Sequence, residues 1–301
     1  MHAIAMAWYG GPEVLELTAW PDRAPGPGEV RIQVVAAGVN PLDWKLRSGV
    51  LREQMPLSFP HVLGVDAAGT VVDVGADVRA LAPGDRVCGL VSAAYAERLV
   101  APAGRLVRIP DGLDVVEAAA LPVVALTGAQ LIESALDVRA GERVLVTGAT
   151  GAVGRSAVFA ALARGARVYA GVRQGYLADA AVLGVEAAVA LDTPHALDGL
   201  PPLDAVADTV GGSLVEPLLA RVRRGGRYAT VVGAPPNAAE RGVTTALVRV
   251  RPDAQRLAAL AADVAAGRLR MPPVRSLPLA EAAEAHRIGE RGGAGKLVLL
   301  P

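Results

Sequence analysis

Three glycines at a spacing of three, Gly148, Gly151 and Gly154, punctuate the run VLVTGATGAVG between a β-branched stretch and an alanine-rich one. The chemistry this pattern suits is the holding of a pyrophosphate. A turn from strand into helix needs one residue without Cβ, and close approach of backbone to phosphate needs another. The third lets the helix lie close to the strand, while the helix N-terminus offers N–H donors and the positive end of its dipole. Thr147, Gly148, Ala149, Thr150, Gly151, Ala152, Val153 and Gly154 are therefore the expected dinucleotide cradle. The competing reading is a glycine loop that only turns the chain.

The strand after the loop selects the nucleotide. An NAD site usually ends it with Asp or Glu on the ribose 2′-hydroxyl. Here ARVYAGVRQGY ends in Arg173, with Tyr176 three residues on and no carboxylate until Asp179. A guanidinium forms a forked pair with a 2′-phosphate, which points to NADPH over NADH; a solvated surface arginine is the alternative.

A second polar constellation lies in AAGVNPLDWKLRSG, residues 36–49. Asp43 has no apparent partner in the sequence, and either a turn-holding or a catalytic role fits it. Lys45, one of only two lysines, could donate to a nicotinamide ribose or to a developing oxyanion, or lie solvated on a turn. Tyr9, Trp44 and Tyr95 are candidates for an aromatic wall beside an acceptor, or for the core. Cys88 is the only cysteine and the four histidines are scattered, so neither a disulfide nor a multi-cysteine zinc site is available.

The chain must hold these groups with 301 residues, 52% of them apolar, which is enough for a full core. Thirty basic and thirty acidic residues cancel, and aromatics are 3%, so neither charge nor stacking argues for nucleic acid or anionic membrane. No basic segment followed by an apolar run opens the chain, and a cytoplasmic protein is expected. The first third reads as short strands between Gly/Pro turns, at 31–39, 69–78, 85–91 and 97–110, suggesting a small barrel. The middle third alternates. A helix is expected over 119–135, then strand, glycine loop, helix and strand, with further strands at 204–210 and 225–233 and a helix between them over 212–224. That order calls for a parallel sheet with right-handed crossovers. The tail predicts two helices and a closing strand that return to the first block.

From YGGPEVLEL (9–17) through AAGVNPLDWKLRSG, FPHVLGVDAAGTVVDVG (59–75), GDRVCGL (84–90), AYAERLVAP (94–102), VLVTGATGAVG, DTVGG (208–212) and GGR (225–227) to GKLVLL (295–300), the chain resembles one family nearly end to end. It is the zinc-independent quinone oxidoreductase and enone reductase branch of the medium-chain dehydrogenase/reductase superfamily. The resemblance implies an α/β protein: a GroES-like β-barrel catalytic domain over 1–118, a Rossmann domain over 119–251 and a return segment over 252–301. It places the active cleft between the domains and implies a homodimer, with 242–250 as a pairing edge strand or simply an internal one.

For the site, the resemblance implies Asn40 as a neutral amide donor near the acceptor oxygen, or as a turn cap, alongside Asp43 and Lys45. It implies Thr127 on the nicotinamide ribose or carboxamide, and Gly211, Gly233 and Ala234 at strand ends beside the cofactor. Lys296 is expected near the cofactor or on the surface. The places that hold zinc ligands in metal-dependent relatives match Asn40, Val65–Asp66 and Val123, which cannot supply a metal with three donors. His61, four residues upstream of Val65, is expected to make a turn hydrogen bond.

Without an electrophilic ion a simple carbonyl is hard to reduce, whereas a quinone or enone spreads the incoming charge itself. The expectation is NADPH-dependent hydride transfer to a quinone or to the C=C bond of an α,β-unsaturated carbonyl. The alternatives are a pathway-specific enoyl reductase or redox-neutral cyclase, and a non-catalytic NADPH-binding protein. Compact loops after CGLV and after Gly233 suggest an open or unusual substrate site.

Overall fold

The structure is a computed structural model that describes residues 1–233, 235–293 and 295–301. Along the chain run β1 (His2–Met6), β2 (Glu16–Ala19), β3 (Glu29–Val39), α1 (Pro41–Arg47), β4 (His61–Val62), β5 (Asp66–Val74), β6 (Arg86–Leu90), β7 (Arg98–Pro102) and β8 (Leu106–Arg108). Next come α2 (Val115–Ala119), α3 (Pro122–Gln130), β9 (Arg143–Thr147), α4 (Ala152–Ala163), β10 (Arg167–Val172), α5 (Leu177–Ala181), β11 (Ala187–Ala190) and β12 (Leu203–Asp208). The chain closes with α6 (Val215–Leu219), β13 (Val222–Thr230), β14 (Thr244–Leu247), α7 (Ala254–Ala265), β15 (Val274–Pro278), α8 (Ala282–Arg291) and β16 (Lys296–Leu300).

Two compact units emerge. The first comprises Met1–Val123, Pro252–Arg268 and Pro273–Pro301; the second comprises Val124–Arg251 with Leu269–Pro272. The first division thus falls five residues after the expected 118, and the return segment lies in the first unit apart from Leu269–Pro272.

The first unit is GroES-like. A seven-stranded sheet runs β15-β16-β3-β5-β6-β8 with β7 also paired to β3, and a three-stranded sheet runs β2-β1-β4. β3 explains why its sequence is a strand: Val30, Ile32 and Val34 point inward in alternation, and both faces close over at Ala36–Val39. Two pairings bring distant parts of the chain to the carboxyl end of β3. Leu297 of β16 lies opposite Val39, and Asp66 of β5 lies opposite Gly38.

The second unit carries a six-stranded, wholly parallel Rossmann sheet in the order β11-β10-β9-β12-β13-β14. In chain order this is 3-2-1-4-5-6, the doubly wound arrangement that binds nucleotides at the carboxyl ends of its strands. β14 is an outer strand of this sheet, so the alternative of an internal strand over 242–250 is corrected.

Two other expectations change. The helix predicted over 119–135 is divided: Pro122 begins α3 rather than interrupting it, and a π turn follows over Leu131–Ala135. The helix predicted over 212–224 stops at Leu219, because Val222 already pairs with Leu203 and β13 bulges at Gly225 (φ +76°) and Gly226. Among the described residues no helix is long and apolar enough to cross a membrane.

Candidate active site

The glycine loop divides its labour as its spacing predicts. Gly148 turns with φ +59°, which a side chain resists. Gly151 caps α4 and is exposed, and a Cβ there would meet only Gly148 O, at 3.2 Å. Gly154 has no such room: its Cβ would lie 2.0 Å from Gly148 O. Thr150, Ala152 and Val153 are half-buried around this turn, and Ala149 is buried. The open side at Gly151 is where a phosphate would sit against the helix N-terminus. A dinucleotide is the ligand that such a loop suits.

Thr147 takes a different part from the expected one. Its hydroxyl donates to Asp208 Oδ1 at 2.7 Å and accepts Thr209 N–H at 2.8 Å, and the side chain is fully buried. With donor and acceptor both engaged, it ties β9 to β12 instead of facing a ligand. Asp208 is the hub of this tie and was not singled out from sequence. It also accepts from Tyr228 Oη (2.8 Å) and from the N–H groups of Val210 and Gly211 (3.0 Å each). An acid closing the apolar strand LDAVAD was the available signal. Gly211 (φ +73°) and exposed Gly233 follow β12 and β13, while Ala234 lies outside the described residues. Thr127 is buried in α3.

Arg173 follows β10 directly, is exposed, and has no side-chain partner among the described residues. Tyr176, 42% exposed, ends the 3-10 turn that Arg173 opens. Asp192, on the loop after β11, accepts Gln174 N–H at 2.7 Å, so a carboxylate does stand close to this turn.

The polar residues of 36–49 form a buried network within the first unit. Asn40 Oδ1 accepts from Lys296 Nζ at 2.6 Å, and Asn40 Nδ2 donates to Asp66 Oδ2 at 2.9 Å. Lysine only donates and a carboxylate only accepts, so the amide's orientation follows from its partners. Lys296 also donates to Val39 O (3.1 Å) and lies 3.5 Å from Asp66 Oδ2, while Asp66 Oδ1 accepts Val123 N–H at 2.8 Å. Burial pushes Asp66 up and Lys296 down, and each opposes the other's shift by its charge.

This corrects two expectations. Asn40 is fully buried with both ends of its amide engaged, so it is not a free donor to an acceptor oxygen. Lys296 is 6% exposed, which removes the surface alternative, and its ammonium is turned on Asn40, Val39 and Asp66.

Asp43 also has the partners its sequence context hid. Its Oδ2 accepts Asn40 N–H at 2.7 Å and Tyr95 Oη–H at 3.0 Å, whereas Oδ1 is buried without a partner among the described residues. Burial, offset by those two bonds, lifts Asp43 to about 7. Tyr95 is fully buried, so it is a core residue and not an acceptor wall. Behind it stand two residues not singled out from sequence. His286 Nε2 is 3.2 Å from Tyr95 Oη, and Arg47 donates to His286 Nδ1 at 3.1 Å and to Glu290 Oε1 at 2.5 Å. Burial, then Arg47, hold His286 down at about 3, so it is neutral.

Trp44 is half-buried, edge-on to His286 at 6.2 Å, with Gly289 leaving it room: a Cβ there would lie 2.7 Å from its ring. Tyr9 accepts Leu57 N–H at 2.9 Å and meets Phe59 edge-on at 4.8 Å. Lys45, partly exposed on α1, has no side-chain partner among the described residues. Of the three catalytic candidates it alone has its charge free for a ligand.

His61 lies in β4 and bonds the Ser58 backbone, as expected of a turn residue. Among the described residues no group of three or more His, Cys, Asp or Glu could hold a metal ion.

Comparison with known proteins agrees with this architecture. Residues 26–111 match the alcohol dehydrogenase GroES-like domain, and residues 183–299 match the family described as zinc-binding dehydrogenase. The zinc that this second description implies does not fit the donors present, since Asn40 Oδ1 is taken by Lys296, the Asp66 oxygens are taken by Asn40 Nδ2 and Val123 N–H, and the Val65 and Val123 side chains carry no donor atom. A quinone oxidoreductase from Sus scrofa is 32% identical, over 100% of this chain and 98% of its own length. The quinone oxidoreductase structure from Coxiella burnetii superposes with a TM-score of 0.91 at 28% identity, covering 100% of this chain and 99% of that one. A structure described as an NAD-dependent alcohol dehydrogenase gives 0.88 at 34% identity, covering 100% of both chains. The chain also matches two polyketide synthase components, from Streptomyces venezuelae and Streptomyces orinoci, and spans 6% and 14% of their lengths. With the Rossmann order, the GroES-like unit and this end-to-end similarity together, the chain belongs to the medium-chain dehydrogenase/reductase superfamily, in its quinone oxidoreductase branch.

Proposed function

We propose that this oxidoreductase is NADPH-dependent and zinc-independent, and that it reduces quinones or the C=C bond of α,β-unsaturated carbonyls. One observation carries the reading: the oxygens of Asn40 and Asp66, at places matching metal ligands, are already taken by N–H donors, the Lys296 ammonium among them. Acceptors that delocalise charge onto their own oxygen need less electrophilic help than a simple carbonyl.

A bound nicotinamide supplies the hydride. The chain's part is to hold it and to meet the charge that develops. The loop from Gly148 to Gly154 holds the pyrophosphate, and Arg173 pairs with the 2′-phosphate. Lys45 donates to the developing enolate or phenolate oxygen from a side chain that no other described residue engages. Asp43, Tyr95, His286 and Arg47 build the base of α1, from which Lys45 projects. As for many members of this family, we take the protein to be cytoplasmic and homodimeric, with β14 as the pairing edge.

Two competing readings each have an observation behind them. Asp192 beside Gln174 favours NADH, since a carboxylate there suits a ribose 2′-hydroxyl. The similarity to polyketide synthase components favours an enoyl reductase working on one bulky substrate.

The deciding experiment monitors NADPH and NADH oxidation by chelator-treated protein with a panel of 1,4-quinones and small enones. Turnover with NADPH that survives chelation is expected. Activity that vanishes on chelation and returns with zinc would remove the reading. Silence across the panel would favour the bulky substrate or a non-catalytic role.

A further inference from the structure

Asn40, Asp66 and Val123, far apart in sequence, meet in the first unit around an ammonium. Asn40 Oδ1 takes Lys296 Nζ at 2.6 Å, Asn40 Nδ2 reaches Asp66 Oδ2 at 2.9 Å, and Asp66 Oδ1 takes Val123 N–H at 2.8 Å. Lys296 adds Val39 O at 3.1 Å and approaches Asp66 Oδ2 at 3.5 Å. The lone pairs that a metal would draw on are directed at N–H donors. Charge is supplied from within the fold, on the first residue of β16.

Asn40 is also the residue from which α1 starts, and Asp43 Oδ2 accepts its N–H at 2.7 Å. At seven residues α1 is too short to persist by itself. Its direction is therefore set by whatever fixes Asn40 and by what packs on its far side, where Trp44 lies over Gly289 and Arg47 bonds His286. Of these anchors, the one on the far side holds the buried Arg47 paired with Glu290, and the one at the start of the helix joins an internal ammonium to a buried carboxylate through Asn40.

We propose that the Lys296 ammonium is a fixed internal cation which, through Asn40 and Asp66, orients α1, and that Lys296 is thereby a positioning residue for Lys45. The orientation of α1 follows from the contacts alone; its consequence for turnover rests on the reading of Lys45 as donor to the developing oxyanion.

Lys45 and Lys296 are the chain's two lysines, which makes Lys45 observable by itself. Reductive methylation with 13C labels half-exposed Lys45 and the terminal amine, and the buried Lys296 is protected. Two variants are compared with the parent. D66N/K296M removes both buried charges together, which avoids stranding one of them. Asn40→Ser keeps both charges and a helix-capping side chain but is too short to bridge them.

The expected result, in each folded variant, is a shifted or broadened dimethyl-Lys45 resonance. With it, kcat on the unlabelled enzyme falls by about tenfold or more while the cofactor KM stays within about twofold. An unmoved resonance in either folded variant overturns the proposal. So does a cofactor KM that rises with kcat and resonance unchanged, since Lys296 would then be a cofactor ligand. A moved resonance with full kcat upholds the orienting role and removes Lys45 from the chemistry. If D66N/K296M does not fold, Asn40→Ser decides by the same readouts.

Discussion

Tyr95 and His286, 191 residues apart in sequence, meet at 3.2 Å in the core of the first unit. Tyr95 gives its only hydrogen to Asp43, so at this contact His286 must be the donor through Nε2. Arg47 can only donate, so Nδ1 is the acceptor and the tautomer is determined from both sides. Every hydrogen in the row Arg47–His286–Tyr95–Asp43 is thus directed toward the carboxylate.

Breaking that row leaves one buried donor unsatisfied and takes one of two donors from a buried carboxylate. In Tyr95→Phe, Asp43 Oδ2 loses a donor and His286 Nε2–H loses its acceptor. A loss of about 1–3 kcal/mol in unfolding free energy is expected from denaturant titration, with an unchanged m-value. A neutral effect would mean that the row contributes nothing to the fold.

Asp43 should leave a signature in stability against pH. Its folded value, about 7, lies above the ordinary 3.8, so between those values the folded protein binds more protons than the unfolded chain. Its contribution is complete below 3.8 and is lost as pH rises to about 7. The stability difference between parent and Asp43→Asn should shift against the parent across that window and level off above it. Equilibrium unfolding at a series of pH values reads this directly, and a flat difference would contradict it.

The glycines of the loop should separate folding from binding. Gly154→Ala drives a Cβ to within 2.0 Å of Gly148 O, and about 1–3 kcal/mol of destabilisation is expected by thermal melting. Gly151→Ala meets only Gly148 O at 3.2 Å, so the fold should survive while dinucleotide affinity falls roughly tenfold. Fluorescence titration with NADPH checks the second half. Equal affinity in parent and Gly151→Ala would argue for a loop that only turns the chain.

Arg173→Glu should weaken NADPH about 100-fold or more and NADH far less, because a forked pair to the 2′-phosphate is replaced by repulsion. Dissociation constants for both nucleotides measure it. Similar losses for both would withdraw the 2′-phosphate assignment and favour the reading through Asp192.

Lys45→Met should lower kcat roughly 100-fold with the melting temperature unchanged, since no partner among the described residues is lost and one donor to developing charge is removed. Single-turnover rates with a 1,4-quinone give the answer, and a full rate would exclude Lys45 from the reaction.

What the sequence determined by itself is what neighbouring residues decide. The three glycines implied a tight turn, a close backbone approach and a closely packed helix, and the structure has the turn at Gly148, open space at Gly151 and Gly154 lying against the Gly148–Ala149 backbone. Alternating strands and helices from β9 to β13 likewise implied a parallel doubly wound sheet, because each crossover is local. The place of Arg173, just past the end of β10, was legible since the pattern supplies that strand's position in the sheet.

What only the tertiary structure decided is which polar groups have partners. Asn40 and Asp43 read as either reactive groups or turn residues, and the antiparallel register of β16 on β3 and of β3 on β5 brings Lys296 and Asp66 to Asn40 across separations of 256 and 26 residues. Thr147 read as a ligand group, and the register of β12 on β9 gave its hydroxyl to Asp208. A buried donor or acceptor must be satisfied, and in a sheet the partner comes from whichever strand lies alongside. Local sequence cannot state that pairing, so it named the groups able to do chemistry, and the packing chose which of them are left to do it.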